Sequence, residues 1–338
     1  MRIDVILDPA SSPDEVKELG LLAEHHGLAT VWGSNYPSSR DPFINLCPLA
    51  LASSTIRLGP LVITPYELHP YKIAKAVASL NELCAGRANL FIGGPTGVNA
   101  AMGMDTERMV GRVKECMEIL LGITPAQPFN YQGDIYQVWN YQPEWATAPL
   151  PRIYVGANMP QMLHMAAGVA DNIMFGDPTA ARLEKNQRQL DEHLQSHGRK
   201  RVDVTVSALV AWHVKEQPVA SQHEARSQLA LRGMLDAWYL ESFLDPDEIQ
   251  VVEDNRNNFF RAYKNGSGLV EGVPDAIVDK LVDNLTMSGG PDSIDRHIDT
   301  LRRYADLGLD EVALKLHGDQ AAAINTIGTQ LVPALAAD

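Results

Sequence analysis

Apolar residues along this chain alternate between two patterns. Short runs rich in β-branched residues give way to longer stretches in which apolar positions recur every three or four residues. Residues 3–7 form the first short run, which stops at Asp8-Pro9 and predicts a buried strand. Ser12-Pro13-Asp14-Glu15 then opens a helix with a capping serine, a proline suited to the first turn and acids that complement the dipole. Val16, Leu19, Leu22 and Ala23 hold helical spacing, and Gly27 ends it. The same reading predicts further strands at 29–32, 56–63, 88–92, 153–155, 172–175, 202–213 and 311–316. Helices are predicted at 41–53, 71–84, 106–121, 160–168, 179–197, 291–307 and 320–335.

Each strand is followed sooner or later by a helix, which implies a parallel sheet with right-handed crossovers. Eight such repeats favour closure into an α/β (β/α)8 barrel, here as a single domain over residues 1–338. Two segments stand outside the repeat. Residues 129–140 alternate around Gln132-Gly133-Asp134 and predict a small hairpin. Residues 217–287 are long and mainly helical, with breaks at Asp245-Pro246 and at 264–268. They read as an insertion between strand seven and its closing helix. Such an insertion covers an active site or makes an oligomer contact.

Composition removes several function classes. A net charge of -14 disfavours nucleic acid and anionic membrane surfaces as partners. Cys47, Cys84 and Cys116 are odd in number and lack C-x-x-C spacing, so buried packing in a reducing compartment is expected rather than disulfides or zinc. The acidic N-terminus is no signal peptide, and the expected location is the cytoplasm. No H-E-x-x-H, G-x-S-x-G or phosphate-loop motif appears, so no metal is expected.

In a barrel, chemistry sits at the C-terminal strand ends. The candidate positions are Asp4 to Asp8, then Ser34-Asn35-Tyr36, then Leu61-Val62-Ile63, and Gly93-Gly94. Gly156-Ala157-Asn158-Met159, Phe175-Gly176-Asp177, Trp212-His213 and His317-Gly318 complete the ring. Gly156 permits close approach of a ligand, and Pro160 opens the next helix. Its free N–H groups make a phosphate seat, although such a turn is commonly just a turn. His317 and His213 end apolar strands, where a histidine either meets a ligand or is satisfied structurally.

Several stretches together resemble one family. Ile56-Arg57-Leu58-Gly59-Pro60, Thr64-Pro65-Tyr66 and His69-Pro70 resemble the third-strand region of the luciferase-like flavin and deazaflavin oxidoreductases. The run from Leu80-Asn81-Glu82 through Gly86-Arg87-Ala88 is similar to their LDELSGGRA stretch, and Gly93-Gly94 follows in register. Tyr131-Gln132-Gly133-Asp134-Ile135-Tyr136 resembles their YxGxxY hairpin, and Pro151-Arg152-Ile153-Tyr154-Val155-Gly156-Ala157 their fifth strand and phosphate-binding turn. Within the family the resemblance is closest to F420-dependent reductases of the methylenetetrahydromethanopterin reductase and glucose-6-phosphate dehydrogenase groups.

The resemblance implies a TIM barrel holding coenzyme F420, or alternatively FMN, across the strand ends. Ser34, Leu61, Val62, Ile63, Gly93, Gly94 and Phe175 would line the cofactor, and Gly156, Ala157, Asn158 and Met159 its phosphate. It also implies a non-proline cis peptide at Leu61-Val62 and a substrate-facing acid at Asp4. The chain departs from the family where Ser34-Asn35-Tyr36 replaces a Ser-Asp-His or Thr-Asp-His sequence. Val98 likewise stands where the sugar-phosphate enzymes carry a glutamate. Tyr36, Asn35, Asp4 and His317 are therefore the expected polar or catalytic groups. The leading expectation is F420-linked hydride transfer to a small organic substrate in a homodimer. The alternatives are an FMN-dependent monooxygenase fed by a separate reductase and a flavin-binding protein without turnover.

Overall fold

The computed structural model describes residues 1–336. Its core is a ring of parallel strands: β1 (Arg2–Ile6), β2 (Thr30–Ser34), β3 (Arg57–Leu61), β4 (Asn89–Ile92), β5 (Arg152–Gly156), β6 (Asn172–Gly176), β7 (Thr205–Trp212) and β8 (Glu311–Leu316). Their order is β3-β2-β1-β8-β7-β6-β5-β4. Bridges at Leu58–Ala88 and Ile63–Ile92 join the two ends and close the (β/α)8 barrel. Closure requires Gly59, since a Cβ there would meet the Asn89 carbonyl oxygen at 2.1 Å. Arg57 Nε donates to Asn89 Oδ1 at 2.7 Å across the same seam.

Strand alternation sorts the apolar residues into two cores. One face packs outward on the helices through residues such as Val5, Val31, Leu58, Leu90, Val155 and Leu314. The other fills the barrel with Ile6, Trp32, Leu61, Phe91, Tyr154, Met174 and Ala313. The barrel is therefore plugged, and a ligand at the strand ends rests on an apolar floor.

Helix boundaries follow local chemistry. Ser12 caps Pro13–His25 in a full capping box with Glu15. His69 caps Pro70–Leu83, its Nδ1 accepting from Tyr71 N–H at 3.1 Å. The expected helix 41–53 is two short ones, Pro42–Asn45 and Cys47–Ala52, because Pro48 has no N–H to continue the first. The helix expected from 106 begins at Met109, after Arg108 in a left-handed conformation. The expected hairpin is present as Phe129–Gln132 and Gln137–Tyr141. Glu115 holds its turn by accepting from the N–H groups of Asp134, Ile135 and Tyr136. Cys84 and Cys116 are buried, and Cys47 is half-buried.

The insertion is a helical subassembly with its own core, including Leu229, Tyr239, Leu240, Phe259 and Leu281. It returns through Thr286–Met287, which pairs with Ala211 and Trp212 of β7. That edge is open because β6 ends with Gly176 opposite Leu209. Among the described residues, no helix is long and apolar enough to cross a membrane.

Asp4 lies inside the barrel, not at its mouth. It is 1% exposed, its Oδ2 accepts from Trp32 Nε1 at 2.9 Å, and its Oδ1 has no partner. The expectation that it faces substrate fails on register: Ile6, the next inward residue of β1, belongs to the floor that covers it. Burial and the nearby Glu311 carboxylate push its pKa from 3.8 to about 8. A carboxyl raised on folding contributes stability below its unfolded pKa and loses it as pH rises toward the folded value. Asp4→Asn should therefore leave stability nearly unchanged at pH 4 and raise it by about 1–3 kcal/mol at pH 8. Denaturant melts across that range check this, and equal effects at both pH values would contradict it.

Candidate active site

The β2 end supplies three consecutive residues with different tasks. Ser34 Oγ donates to Leu7 O at 2.6 Å and accepts from Lys315 Nζ at 2.7 Å. Asn35 grips the β3 end twice, since its N–H donates to Leu61 O at 2.8 Å and its Nδ2 to Val62 O at 2.9 Å. The peptide between Leu61 and Val62 is cis. Asn35 Nδ2 also lies 3.0–3.1 Å from both carboxylate oxygens of Glu67. Its protons are thus committed to protein acceptors, and Asn35 is a brace rather than a proton donor to a ligand. The side chain of Tyr36 is held against the mouth. Burial pushes its hydroxyl above the ordinary value of 10, so at neutral pH it keeps its proton as a hydrogen-bond donor for a ligand and is no base.

The glycines at the next two strand ends make room for side chains. A Cβ on Gly93 would meet Val62 Cγ1 at 2.6 Å, and one on Gly94 would meet Met109 Sδ at 2.7 Å. A Cβ on Gly156 would come within 3.0 Å of Phe91 Cζ, so packing against the floor already uses this glycine. Ala157 N–H is spent on Met174 O, and Asn158 Oδ1 accepts from Gly176 N–H at 2.8 Å. The helix Pro160–Val169 begins at Met159 with no capping side chain, which leaves first-turn N–H groups available to an anion. Ile63, Ala157 and Phe175 are buried in the outer core. Alternation turns the Ala157 and Phe175 side chains toward the helices, and Ile63, beyond the end of β3, also packs on the outer side, so only the backbone of all three belongs to the site.

The far side of the mouth is polar and buried. Asp177 follows β6, and its carboxylate takes Arg232 Nη1 at 2.9 Å and Gly233 N–H at 3.0 Å. This pair pins the insertion over the barrel, and Tyr239 hydroxyl adds hydrogen bonds to Gly176 O and Asp177 O. His213 Nδ1 lies 2.8 Å from Glu224 Oε2, and Lys215 Nζ lies 2.9 Å from Glu224 Oε1. The His213 ring stacks on His317, with centroids 4.5 Å apart. Burial lowers both histidines' pKa values, His317 well below 6.5, so both rings are neutral at pH 7. His213 Nδ1–H then donates a hydrogen bond to Glu224 Oε2, and Nε2 keeps a lone pair. His213 Nε2, His317 Nε2 and Arg232 Nε are buried without a protein partner. Unspent polar atoms gathered over an apolar floor fit a heteroaromatic ligand with ring nitrogens and carbonyls.

The chain belongs to the luciferase-like monooxygenase family. The family's profile matches residues 1–311. A 5,10-methylenetetrahydromethanopterin reductase of Archaeoglobus fulgidus is 27% identical, covering 99% of this chain and all of that protein. The coenzyme F420-dependent tetrahydromethanopterin reductase of Methanopyrus kandleri superposes with a TM-score of 0.80 at 19% identity, over 98% of each chain. An F420-dependent secondary alcohol dehydrogenase in complex with an F420-acetone adduct superposes with a TM-score of 0.78 at 15% identity, over 99% of each chain.

Among luciferase-like proteins this chain has gathered groups that its motifs did not advertise. Lys315 and His317 share the inward face of β8, and Lys315 is the one charge in the run Val312-Ala313-Leu314-Lys315-Leu316. That lone charge was a readable signal. Arg232, Glu224 and Glu67 carry no such mark, since folding alone brings them to the mouth. Val98 sits in the short helix Gly97–Ala101 and adds no carboxylate. Among the described residues, no cluster of three or more His, Cys, Asp or Glu is arranged to hold a metal ion.

The Asn35–Glu67 contact gives a direct test. Asn35→Asp sets a second carboxylate against Glu67. We expect a loss of about 1–3 kcal/mol at pH 7, shrinking toward pH 4 as one carboxyl takes a proton. Paired melts of Asn35→Asp and of Asn35→Asp with Glu67→Gln check this, with the second change restoring most of the stability.

Proposed function

We propose that this chain is an F420-dependent oxidoreductase acting on a small organic substrate. The observation that carries this reading is the full-length likeness, insertion included, to proteins named for F420-linked chemistry. The mouth supports it in chemical terms. Ile6, Trp32 and Leu61 supply a dry floor for a planar ring, and Ser34, Tyr36 and Val62 its rim. The start of helix Pro160–Val169 would receive the phosphate through backbone N–H groups, which suits an acidic protein. Once bound, the deazaflavin would supply or accept the hydride.

The protein's own work is orientation and exclusion of water. Asn35 fixes the height of the β3 end through Leu61 O and Val62 O. Arg232 and Tyr239 fix the insertion as a cover over the β6 end. His213 Nε2 and His317 Nε2 remain to orient the substrate or the ring. Substrate is chosen on the insertion side, where Arg232, Lys215 and Glu224 meet the mouth.

Separate titrations with F420 and FMN test this reading, with F420 expected to bind at least tenfold more tightly. Reduced F420 should then be oxidised anaerobically with 5,10-methylenetetrahydromethanopterin or acetone as probe acceptor. Tight FMN binding with oxygen consumption would instead establish a monooxygenase. Tyr36→Phe should weaken cofactor or substrate binding about 3–10-fold, the worth of one hydrogen bond, measured as Kd and KM.

A further inference from the structure

Lys315 is the anomaly of the barrel mouth. It is 3% exposed, on the inward face of β8, in register with Ile6 of β1 and Ala211 of β7. Its Nζ donates to Leu7 O at 2.8 Å and to Ser34 Oγ at 2.7 Å, so its hydrogen-bond partners are neutral oxygens. An ammonium carries three N–H groups, and these contacts use two. Nζ also lies 5.6 Å from the centroid of the Tyr36 ring. Charges elsewhere at the mouth are matched, as the buried Arg232 is by Asp177 and the half-buried Lys215 by Glu224. A methionine would fill the same volume without the cost of burying an unmatched ammonium. Strand stability therefore does not account for a lysine here.

The groups facing it come from every surrounding element. Asp8 after β1 favours the ammonium, and Arg232 of the insertion opposes it. Tyr36 lies beside it after β2, and His317, two residues along β8, feels its charge. Asp177 after β6 is committed to Arg232, and His213 after β7 to Glu224. Burial brings the Lys315 ammonium down from 10.5 to about 7. An amine in that range gives and regains a proton near neutrality, which an unperturbed lysine or the Tyr36 phenol does not.

We propose that Lys315 is the proton donor of the hydride-transfer site, held at the mouth by Leu7 O and Ser34 Oγ beside the Tyr36 ring. The assignment rests on the F420 reading above. In the reducing direction, with the anionic reduced deazaflavin bound, its C–H bond would break, the hydride would add to a carbonyl carbon as the π pair moves to oxygen, and the cofactor would be left oxidised. One N–H bond of Lys315 breaks, and its proton goes to that oxygen. The neutral amine is reprotonated from solvent, and oxidation runs the same transfers backwards. For an aminal substrate the C–N bond breaks, carbon takes the hydride and nitrogen takes the proton. Ser34 and Leu7 O hold the amine in place and are positioning groups.

Three measurements test this. Lysine-selective 15N NMR of the cofactor-free protein should show a side-chain signal, absent from Lys315→Arg, titrating near pH 7; titration near 10.5 would overturn the proposal. Single-turnover oxidation of reduced F420, with whichever probe acceptor is reduced, should slow as pH rises through about 7 in the wild type. Lys315→Met should lower that rate about 10²–10⁴-fold, abolish the pH limb and leave F420 Kd within threefold, with methylamine restoring part of the rate to Lys315→Ala. Lys315→Arg keeps the charge and hydrogen-bonding capacity but cannot release a proton, so it decides the matter if the apolar variant fails to fold. A rate within threefold of wild type in Lys315→Arg, or loss of F420 binding in step with rate, would overturn the assignment alone. Wild-type protein that binds no F420 would overturn the F420 reading and this assignment together.

Discussion

Closure of the parallel strands between β3 and β4 is the constraint on which the rest depends. The seam is narrow, carried by two isolated bridges, and it exists because Gly59 has no side chain to strike Asn89 O. Once the ring closes, inward residues meet one another instead of water. Trp32, Phe91 and Tyr154 then fill the interior, so everything above them becomes the available ligand surface. Alternation does the remaining sorting. It sends Phe175 to the helices, and it puts Lys315 and Ser34 side by side at the mouth.

The second organising contact is the buried Asp177–Arg232 pair. Breaking such a pair leaves a buried charge unmatched, so it holds the insertion in one place. Around it, His213, Glu224 and Lys215 form a compensated network. The site is thus close to neutral in a chain of net charge -14. Affinity for an anionic cofactor then rests on backbone dipoles and on the few nitrogens left without partners, rather than on a basic field.

Asn35-Tyr36 at the end of strand two sets what that strand does. Asn35 suits its place because Glu67 and two carbonyls need a donor there. Tyr36 gives a wall and a protonated hydroxyl. Strand two thereby becomes structural support for the mouth, and the groups able to exchange protons lie on strands seven and eight, beyond β1. Its motif was legible as a departure from relatives, but its consequence was not. That consequence depends on Glu67 and Lys315, which are distant in sequence.

The chain by itself determined the eight-fold βα order, the capped starts at Ser12 and His69, the hairpin around Gly133 and the place of the insertion. All of these rest on interactions within a few residues, so periodicity and capping chemistry report them directly. Only the tertiary structure decided that Asp4 sits below the floor, that Asn35 is a brace, and that Arg232 and Lys315 belong to the mouth. Those outcomes depend on the register between strands far apart in sequence and on the height at which the floor is built. A shift of two residues moves a side chain from the buried interior to the ligand surface without altering any local pattern.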